Sequence, residues 1–452
     1  MHGKCSVSFK YHQRTSMAAD INNLSPAERA RTAVDDLYDY RDHYLERNGL
    51  EKAAQKPQDV QQKMNEVLQL LEELKDIIKN KAEFCMLKGK ALNVQSQYDS
   101  QAEECLSKAI KLDPKLVQAW NNLGECYWKK GEIPSAKNCF TGALTHSKNK
   151  FSLRSLSMVL RQLSGSPAER AKLTEESVEK AREAVQLDIT DGESWLILGN
   201  AYLSMFFMVG QNPKFLKQAM SAYSQAEKDT VTKNNADLHF NRAMAYKYQE
   251  EYQLALEGFN LAARLDPSWS EPTEQEDKLM AFLTNVTQLM DAKGKIKGKR
   301  LQTMVQSSRE SDLGPYKGGS YTSHSGKTVK LERCTLSRLK TELNAEKVVV
   351  GRVVCSIPSD DPVPFTFCLI DEEETCVPVN VYNLAQGSGV KIGDTVAVPE
   401  PYLQPVKVNH RDKRFEYQSI RVDTPVVLVV NGRKLGLDKQ APTVLTVSAI
   451  SD

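Results

Sequence analysis

Several things are missing from this 452-residue chain, and each absence narrows what it can do. Aromatic residues make up 7 % and the formal net charge is only +2, so the chain as a whole is not a basic nucleic-acid binder. Any nucleic-acid contact must come from a local patch. No apolar run reaches the 18 residues of a membrane helix, and Ala201–Gly210 is too short. Residues Met1–Thr15 lack the apolar centre of a secretory signal. The nine cysteines contain no Cys-x-x-Cys pair, and the seven histidines are dispersed, which argues for buried free thiols in a reducing compartment rather than metal ligation. There is no Gly-x-x-x-x-Gly-Lys-Ser/Thr loop, no His-Glu-x-x-His and no Gly-x-Ser-x-Gly, so no catalytic residue, metal site or cofactor is expected.

What the chain does have is a returning pattern, Ala-x-x-x-aromatic/Leu-x-x-Ala. It reads Ala102-Leu106-Ala109, Ala136-Phe140-Ala143, Ser177-Ala181-Ala184, Ala219-Tyr223-Ala226 and Ala255-Phe259-Ala262. The first two copies lie 34 residues apart, the period of a tetratricopeptide repeat. The companion signature upstream is Trp120-x-x-Leu123-Gly124-x-x-Tyr127 and again Trp195-x-x-Leu198-Gly199-x-x-Tyr202. Small residues mark places where helix backbones approach, and the aromatics fill the spaces beside them. Such stacked pairs form a superhelix with a concave binding surface.

Ser25-Pro26-Ala-Glu28 is a helix-start signal, and a second helix from about Pro57 to Lys79 carries Val60, Met64, Val67, Leu68, Leu71, Leu74 and Ile78 on one face. Past Met290 the run Lys293-Gly-Lys-Ile-Lys-Gly-Lys-Arg300 carries five positive charges, and Ser307–Gly326 is rich in Gly, Ser and Tyr. Beyond it the periodicity becomes alternating: Val348–Val354, Phe365–Ile370, Cys376–Tyr382, Thr395–Val398, Arg414–Tyr417 and Val426–Val430 read as strands. Their number and Gly351 favour a closed oligonucleotide/oligosaccharide-binding (OB-fold) barrel, with an open sandwich as the alternative. The expected fold is thus α+β multidomain, an all-α repeat superhelix followed by an all-β barrel. Its parts are a disordered leader (1–24), a helical pair (25–80), repeats with a terminal helix (81–292), a basic hinge and linker (293–330), the barrel (331–435) and a disordered tail (436–452).

Groove candidates on the first helices of the repeats are Asn121, Glu125, Arg154, Arg161, Asn200, Asp237 and Asn241. Each has the bland reading of a solvated helix residue. Together they mix positive, negative and amide groups, which suits a short peptide bearing both charges and not an acidic tail. Lys293, Lys295, Lys297, Lys299 and Arg300 read as an exposed, adaptable arm suited to phosphates, with nuclear import and a plain soluble hinge as the alternatives. In the barrel, Phe365, Phe367, Tyr382, Phe415 and Tyr417 with Arg411, Lys413 and Arg414 either clamp a single strand or fill the interior. Asp371–Glu374 reads as a solvated charge run in a loop.

Between about residues 25 and 435 the chain resembles the tetratricopeptide repeat protein 5 (Strap) family. Gly89-Lys-Ala-Leu-Asn-Val94, Tyr127-Trp-Lys-Lys-Gly131, Gly142-Ala-Leu-Thr-His146, Leu156–Leu163, Gly210-Gln-Asn-Pro213, Pro364-Phe-Thr-Phe367 and Val429-Val-Asn-Gly432 carry the resemblance. The segment before Met17 departs from it. The resemblance implies a monomeric adaptor, in cytoplasm and nucleus, that recognises the nascent N-terminal peptide of tubulins at the ribosome. Through an mRNA-decay adaptor it would trigger decay of tubulin mRNA. Asp237 would meet the Arg of a Met-Arg-Glu start and Arg161 the Glu, while Lys297 and Lys299 would touch ribosomal RNA near the exit tunnel. It equally implies a nuclear scaffold joining an acetyltransferase coactivator to stress-responsive transcription factors.

Overall fold

The computed structural model describes residues 24–441 except 209–210, 308, 319, 323–325 and 362. The leader and the tail beyond 441 lie outside the described residues, as do Gly210, Ser308 and Gly319. The chain divides into two compact units, one running to Leu238 and including Arg264–Ser268, the other comprising His239–Ala263 and the chain from Trp269 onward.

The first unit is a series of helices: α1 (Pro26–Asp42), α2 (Tyr44–Asn48), α3 (Lys56–Leu74), α4 (Lys81–Leu92), α5 (Ser100–Leu112), α6 (Val117–Lys129), α7 (Ile133–His146), α8 (Lys150–Gln162), α9 (Pro167–Leu187), α10 (Gly192–Met208) and α11 (Pro213–Ala226). The Ser25–Glu28 capping box forms as expected, and Ser166–Glu169 forms a second one that starts α9. The insertion at Gly165–Pro167 is thus absorbed as helix length.

Glycine explains the repeat signature. A β-carbon on Gly124 would lie 2.7 Å from the Phe140 ring, and one on Gly199 would lie 2.4 Å from the Tyr223 ring. In each pair the first helix gives up a side chain so that the aromatic of the second can fill the space. The tryptophans have a separate task. Trp120 Nε1 donates to the Pro114 carbonyl at 2.8 Å and Trp195 Nε1 to the Ile189 carbonyl at 2.9 Å, each closing the turn six residues upstream.

The second unit contains α12 from His239 (the helix spans Ala236–Tyr248), α13 (Tyr252–Leu265, to Ala263), α14 (Glu271–Asp291) and α15 (Gly298–Gln306), then strands β1 (Ser320–Thr322), β2 (Thr328–Lys330), β3 (Glu332–Arg333), β4 (Glu342–Leu343), β5 (Lys347–Ser356), β6 (Phe365–Ile370), β7 (Cys376–Val381), β8 (Thr395–Pro399), β9 (Tyr402–His410), β10 (Lys413–Val422), β11 (Val429–Val430) and β12 (Arg433–Lys434). The strand order β8-β5-β6-β7-β10-β9 closes on itself, because β8 and β9 are successive pieces of chain broken at Glu400–Pro401. Strand β7 pairs with β10 in parallel, and the other neighbours in this order are antiparallel, while the short β3 pairs in parallel with β5 off this path. This is the closed barrel, not the sandwich.

Gly351 sits where β5 passes from its β8 partner to its β6 partner, and a β-carbon there would lie 2.5 Å from the Ile370 carbonyl oxygen. The barrel interior is filled by Val349, Val353, Phe367, Leu369, Val379 and Ile420. A smaller apolar cluster, in which Leu313 and Tyr316 meet Val348, Val350, Ala397 and Val429, forms outside the barrel from part of the segment read as a linker.

Candidate functional site

The groove candidates divide by what their polar atoms already do. Asn121 Oδ1 accepts from the Ser152 hydroxyl at 2.6 Å, and Asn200 Oδ1 accepts from the Tyr223 hydroxyl at 2.9 Å. Both asparagines are buried, and these bonds join neighbouring helices. Arg154 is engaged by two carboxylates, Nη1 at 3.0 Å from Asp191 and Nη2 at 2.5 Å from Glu193. Glu125 pairs with Lys129, one turn on, at 2.7 Å. The structure gives these four residues an internal role.

Arg161 differs. At the end of α8 and half-buried, its Nη1 is held by neutral oxygens, the Ser157 carbonyl at 3.3 Å, the Ser157 hydroxyl at 3.1 Å and the Ser177 hydroxyl at 3.0 Å. Ser177 occupies the position where other repeats carry alanine, so the departure in the pattern is the sequence signal for this support. Asp237 stands half-buried in the first turn of α12, where Asn235 caps its backbone N–H at 2.9 Å. Asn241, one turn beyond, is fully buried with neither Oδ1 nor Nδ2 hydrogen-bonded to a described residue. A buried amide left in that state costs about 1–3 kcal/mol.

The basic run is not a loose arm. Lys293–Lys295 forms a single 3-10 turn with Gly294 at φ 69°, and Gly298–Gln306 is helix α15 with Leu301 and Val305 buried. A β-carbon on Gly294 would lie 2.2 Å from the Val354 carbonyl oxygen, so the turn is seated directly on β5. The glycines that argued for adaptability instead permit this close approach. Lys293 pairs with Glu374 at 2.7 Å, whereas Lys295, Lys297, Lys299 and Arg300 are exposed.

The acidic loop is likewise anchored. Asp371 is buried and accepts from the backbone N–H groups of Leu336 at 2.7 Å, Glu373 at 3.1 Å and Thr375 at 3.0 Å. Burial pushes its carboxyl above the ordinary aspartate value despite those three donors. Glu372 pairs with Arg333 at 2.6 Å. The loop therefore organises the chain's own cations, and no group of metal-ligating side chains occurs among the described residues.

On the barrel, Phe367 fills the interior, but Tyr382 and the β10 residues Phe415 and Tyr417 turn outward and are buried. The face of β6 and β7 is where OB-folds commonly take oligonucleotides. Here Glu250, at the corner between α12 and α13 with φ 63°, occupies the β7–β10 side of it. Its carboxylate accepts from Asn380 at 2.7 Å, Tyr382 at 3.0 Å, Ser419 at 3.4 Å and also Gln404. The Arg421 guanidinium lies 3.9 Å above the centre of the Tyr382 ring. Arg411 is engaged by Glu276 and Asp277, leaving Lys413 and Arg414 exposed. Tyr382 and Arg421 are thus committed to the chain's own helices and are not an open stacking platform. A cavity of about 150 Å³ at the barrel mouth, lined by Phe365, Val381, Leu384, Val390 and Leu428, is smaller than the ~300 Å³ of a usual small-molecule site. No described helix is long and apolar enough to cross a membrane.

Residues 330–444 match the family described as Tetratricopeptide repeat protein 5 OB fold domain, and 89–131 and 117–149 match tetratricopeptide repeat families. Three relatives named Tetratricopeptide repeat protein 5 span nearly the whole chain. The Bos taurus protein is 50 % identical over 92 % of this chain and 94 % of its own length, and the Mus musculus protein gives the same figures. The Homo sapiens protein is 49 % identical over 94 % of this chain and 97 % of its own length. On its repeats, its barrel and this end-to-end similarity, the chain belongs to the tetratricopeptide repeat protein 5 family, an adaptor-type architecture made to hold peptide or protein partners.

Proposed function

We propose that this chain is a cytoplasmic adaptor, also present in the nucleus, that binds the emerging N-terminal peptide of tubulins at the ribosome and, through a decay adaptor, triggers destruction of tubulin mRNA. The observation that carries the reading is the Arg161 guanidinium, half-buried and oriented by Ser157 and Ser177 at the end of a first helix, where it would meet an acidic side chain. Asp237, held in the first turn of α12, supplies the opposite sign for a basic one. A Met-Arg-Glu start presents both charges within its first three residues, with little else to recognise. The four exposed cations from Lys295 to Arg300 add a phosphate contact, and two weak contacts on one ribosome reinforce each other through effective concentration. Nothing in this reading calls for catalysis.

The test is a crosslink from a ribosome-bound nascent tubulin N-terminus to the purified chain, with Asp237→Ala and Arg161→Ala beside the wild type. The expected result is a crosslink with wild type that either substitution abolishes, both variants keeping wild-type circular dichroism. Absence of a crosslink with every protein sinks the reading and moves the weight to a nuclear scaffold between an acetyltransferase coactivator and transcription factors.

A further inference from the structure

Three thiols lie together on the side of β5, β6 and β7 that faces away from the barrel interior, Cys355 and Cys368 buried and Cys376 half-buried, and the proposed function does not use them. Cys355 ends β5, Cys368 is in β6 and Cys376 begins β7. Cys355 and Cys368 are direct cross-strand partners, next to the register irregularity between Val353 and Cys355. The Cys368 thiol lies beside both other thiols. Directly opposed residues on antiparallel strands have Cα atoms about 4.5–5.5 Å apart. That separation falls inside the range a disulfide spans. Cys376 is opposite Ile370, so it stands diagonally to Cys368, about 7–8 Å away at Cα and beyond that range.

We propose that Cys355 and Cys368 are a reversible redox pair, closed by a peroxide, whose closure unseats the Lys293–Lys295 turn from the barrel. The turn has two anchors and both adjoin the thiols. Gly294 is packed on the Val354 carbonyl with the Cys355 β-carbon next in line, and Lys293 is paired with Glu374, two residues before Cys376. Closing the disulfide draws the two β-carbons to about 3.8 Å and must move the Val354–Cys355 backbone, against which Gly294 has no slack.

The Cys368 S–H lies against Cys355 and holds the Cys355 thiol below its ordinary value, so Cys355 is the nucleophile of the pair. Its thiolate attacks one peroxide oxygen; the O–O bond breaks, hydroxide departs, and Cys355 becomes a sulfenic acid. Cys368 then attacks the Cys355 sulfur and gives up its proton, the S–O bond breaks, and water leaves as the S–S bond forms. The two thiols lose two electrons in all, and one hydrogen peroxide is reduced to two waters.

The experiment treats the full-length chain with hydrogen peroxide, alkylates remaining thiols, and maps peptides without reduction. In parallel it follows the rate of tryptic cleavage after Lys293, Lys295 and Lys297 under native conditions. The expected result is a Cys355–Cys368 linkage with cleavage accelerated several-fold, both reversed by dithiothreitol and both absent in Cys368→Ser and in Cys355→Ser. Gly294→Ala should accelerate cleavage without oxidant. A Cys368–Cys376 linkage, no linkage, or the Cys355–Cys368 linkage with an unchanged cleavage rate each overturns the proposal. None of these readouts requires RNA or a ribosome.

Discussion

The Glu250 carboxylate meets the Arg421 guanidinium at 3.3 Å with the glutamate side chain wholly out of solvent. Removing one member of a buried pair leaves the other unpaired and costs roughly 3–5 kcal/mol. Glu250→Ala also abandons Asn380, Tyr382 and Gln404, so the loss should reach that range. Urea denaturation followed by tyrosine fluorescence checks it; a change under 1 kcal/mol would show that the network is not what fastens α12 and α13 to the barrel.

The repeat glycines predict overpacking. Gly199→Ala puts a methyl group 2.4 Å from the Tyr223 ring, and Gly124→Ala meets Phe140 in the same way, so each should lower stability by about 1–3 kcal/mol. Gly131→Ala tests the opposite condition, since space there is open but φ is 81°. Its cost should be smaller and come from backbone strain alone.

Asn241 should show a conflict between stability and binding. Asn241→Leu keeps the side-chain shape and removes two buried polar atoms that no described residue satisfies, so the fold should gain up to about 1–3 kcal/mol. If the amide serves the peptide, the same variant should bind a tubulin N-terminal peptide more weakly. Thermal unfolding and a peptide titration read the two effects separately, and a variant that loses stability would mean that the amide is satisfied in solution.

Acid sensitivity follows from the cluster of Lys150, Asp188 and Asp191. Burial alone would raise the Asp191 carboxyl, but Arg154, Lys150 and Ser194 hold it below the ordinary value; hydrogen bonds from Lys150 and Thr190 do the same for Asp188. A depressed folded-state value means that the contribution is present above the unfolded aspartate value of about 3.9 and is lost as pH falls below it. Stability of the first unit should therefore decline below about pH 4, and Asp191→Asn should flatten that decline while lowering stability at pH 7.

Four exposed cations remain between Lys295 and Arg300 after Lys293 is neutralised by Glu374. If all four meet phosphates, log affinity for ribosomes should fall against log salt with a slope of about −3 to −4. Lys297→Glu with Lys299→Glu should remove about half of that slope. Indifference to salt would end the electrostatic argument.

The repeats were legible because their glycine and aromatic positions are packing requirements with a fixed spacing. Val426–Val430 reads as a strand but is a 3-10 turn over Pro425–Val427 and strand only at Val429–Val430, and the alternation misses β9, whose Tyr402–His410 alternates but contains Pro405, a residue that normally demotes a strand. That strand closes the barrel, which is why the sandwich stayed open as an alternative. Site residues were harder to read. Asn121 and Asn200 look like groove amides because helix position sets which face a residue occupies, not whether Ser152 or Tyr223 already holds it. The basic run was misread as an adaptable arm because the seat of Gly294 is Val354, 60 residues later, and nothing local announces it.

The two indole hydrogen bonds carry a consequence for how such arrays diversify. Trp120 and Trp195 each close a corner of the same six-residue span, although the helix before the first corner has 13 residues and that before the second has 21. Length is free to change along the rods, and the joints keep one gauge. A family built this way can lengthen single repeats while leaving its corners intact, so inherited insertions should collect away from the tryptophan turns.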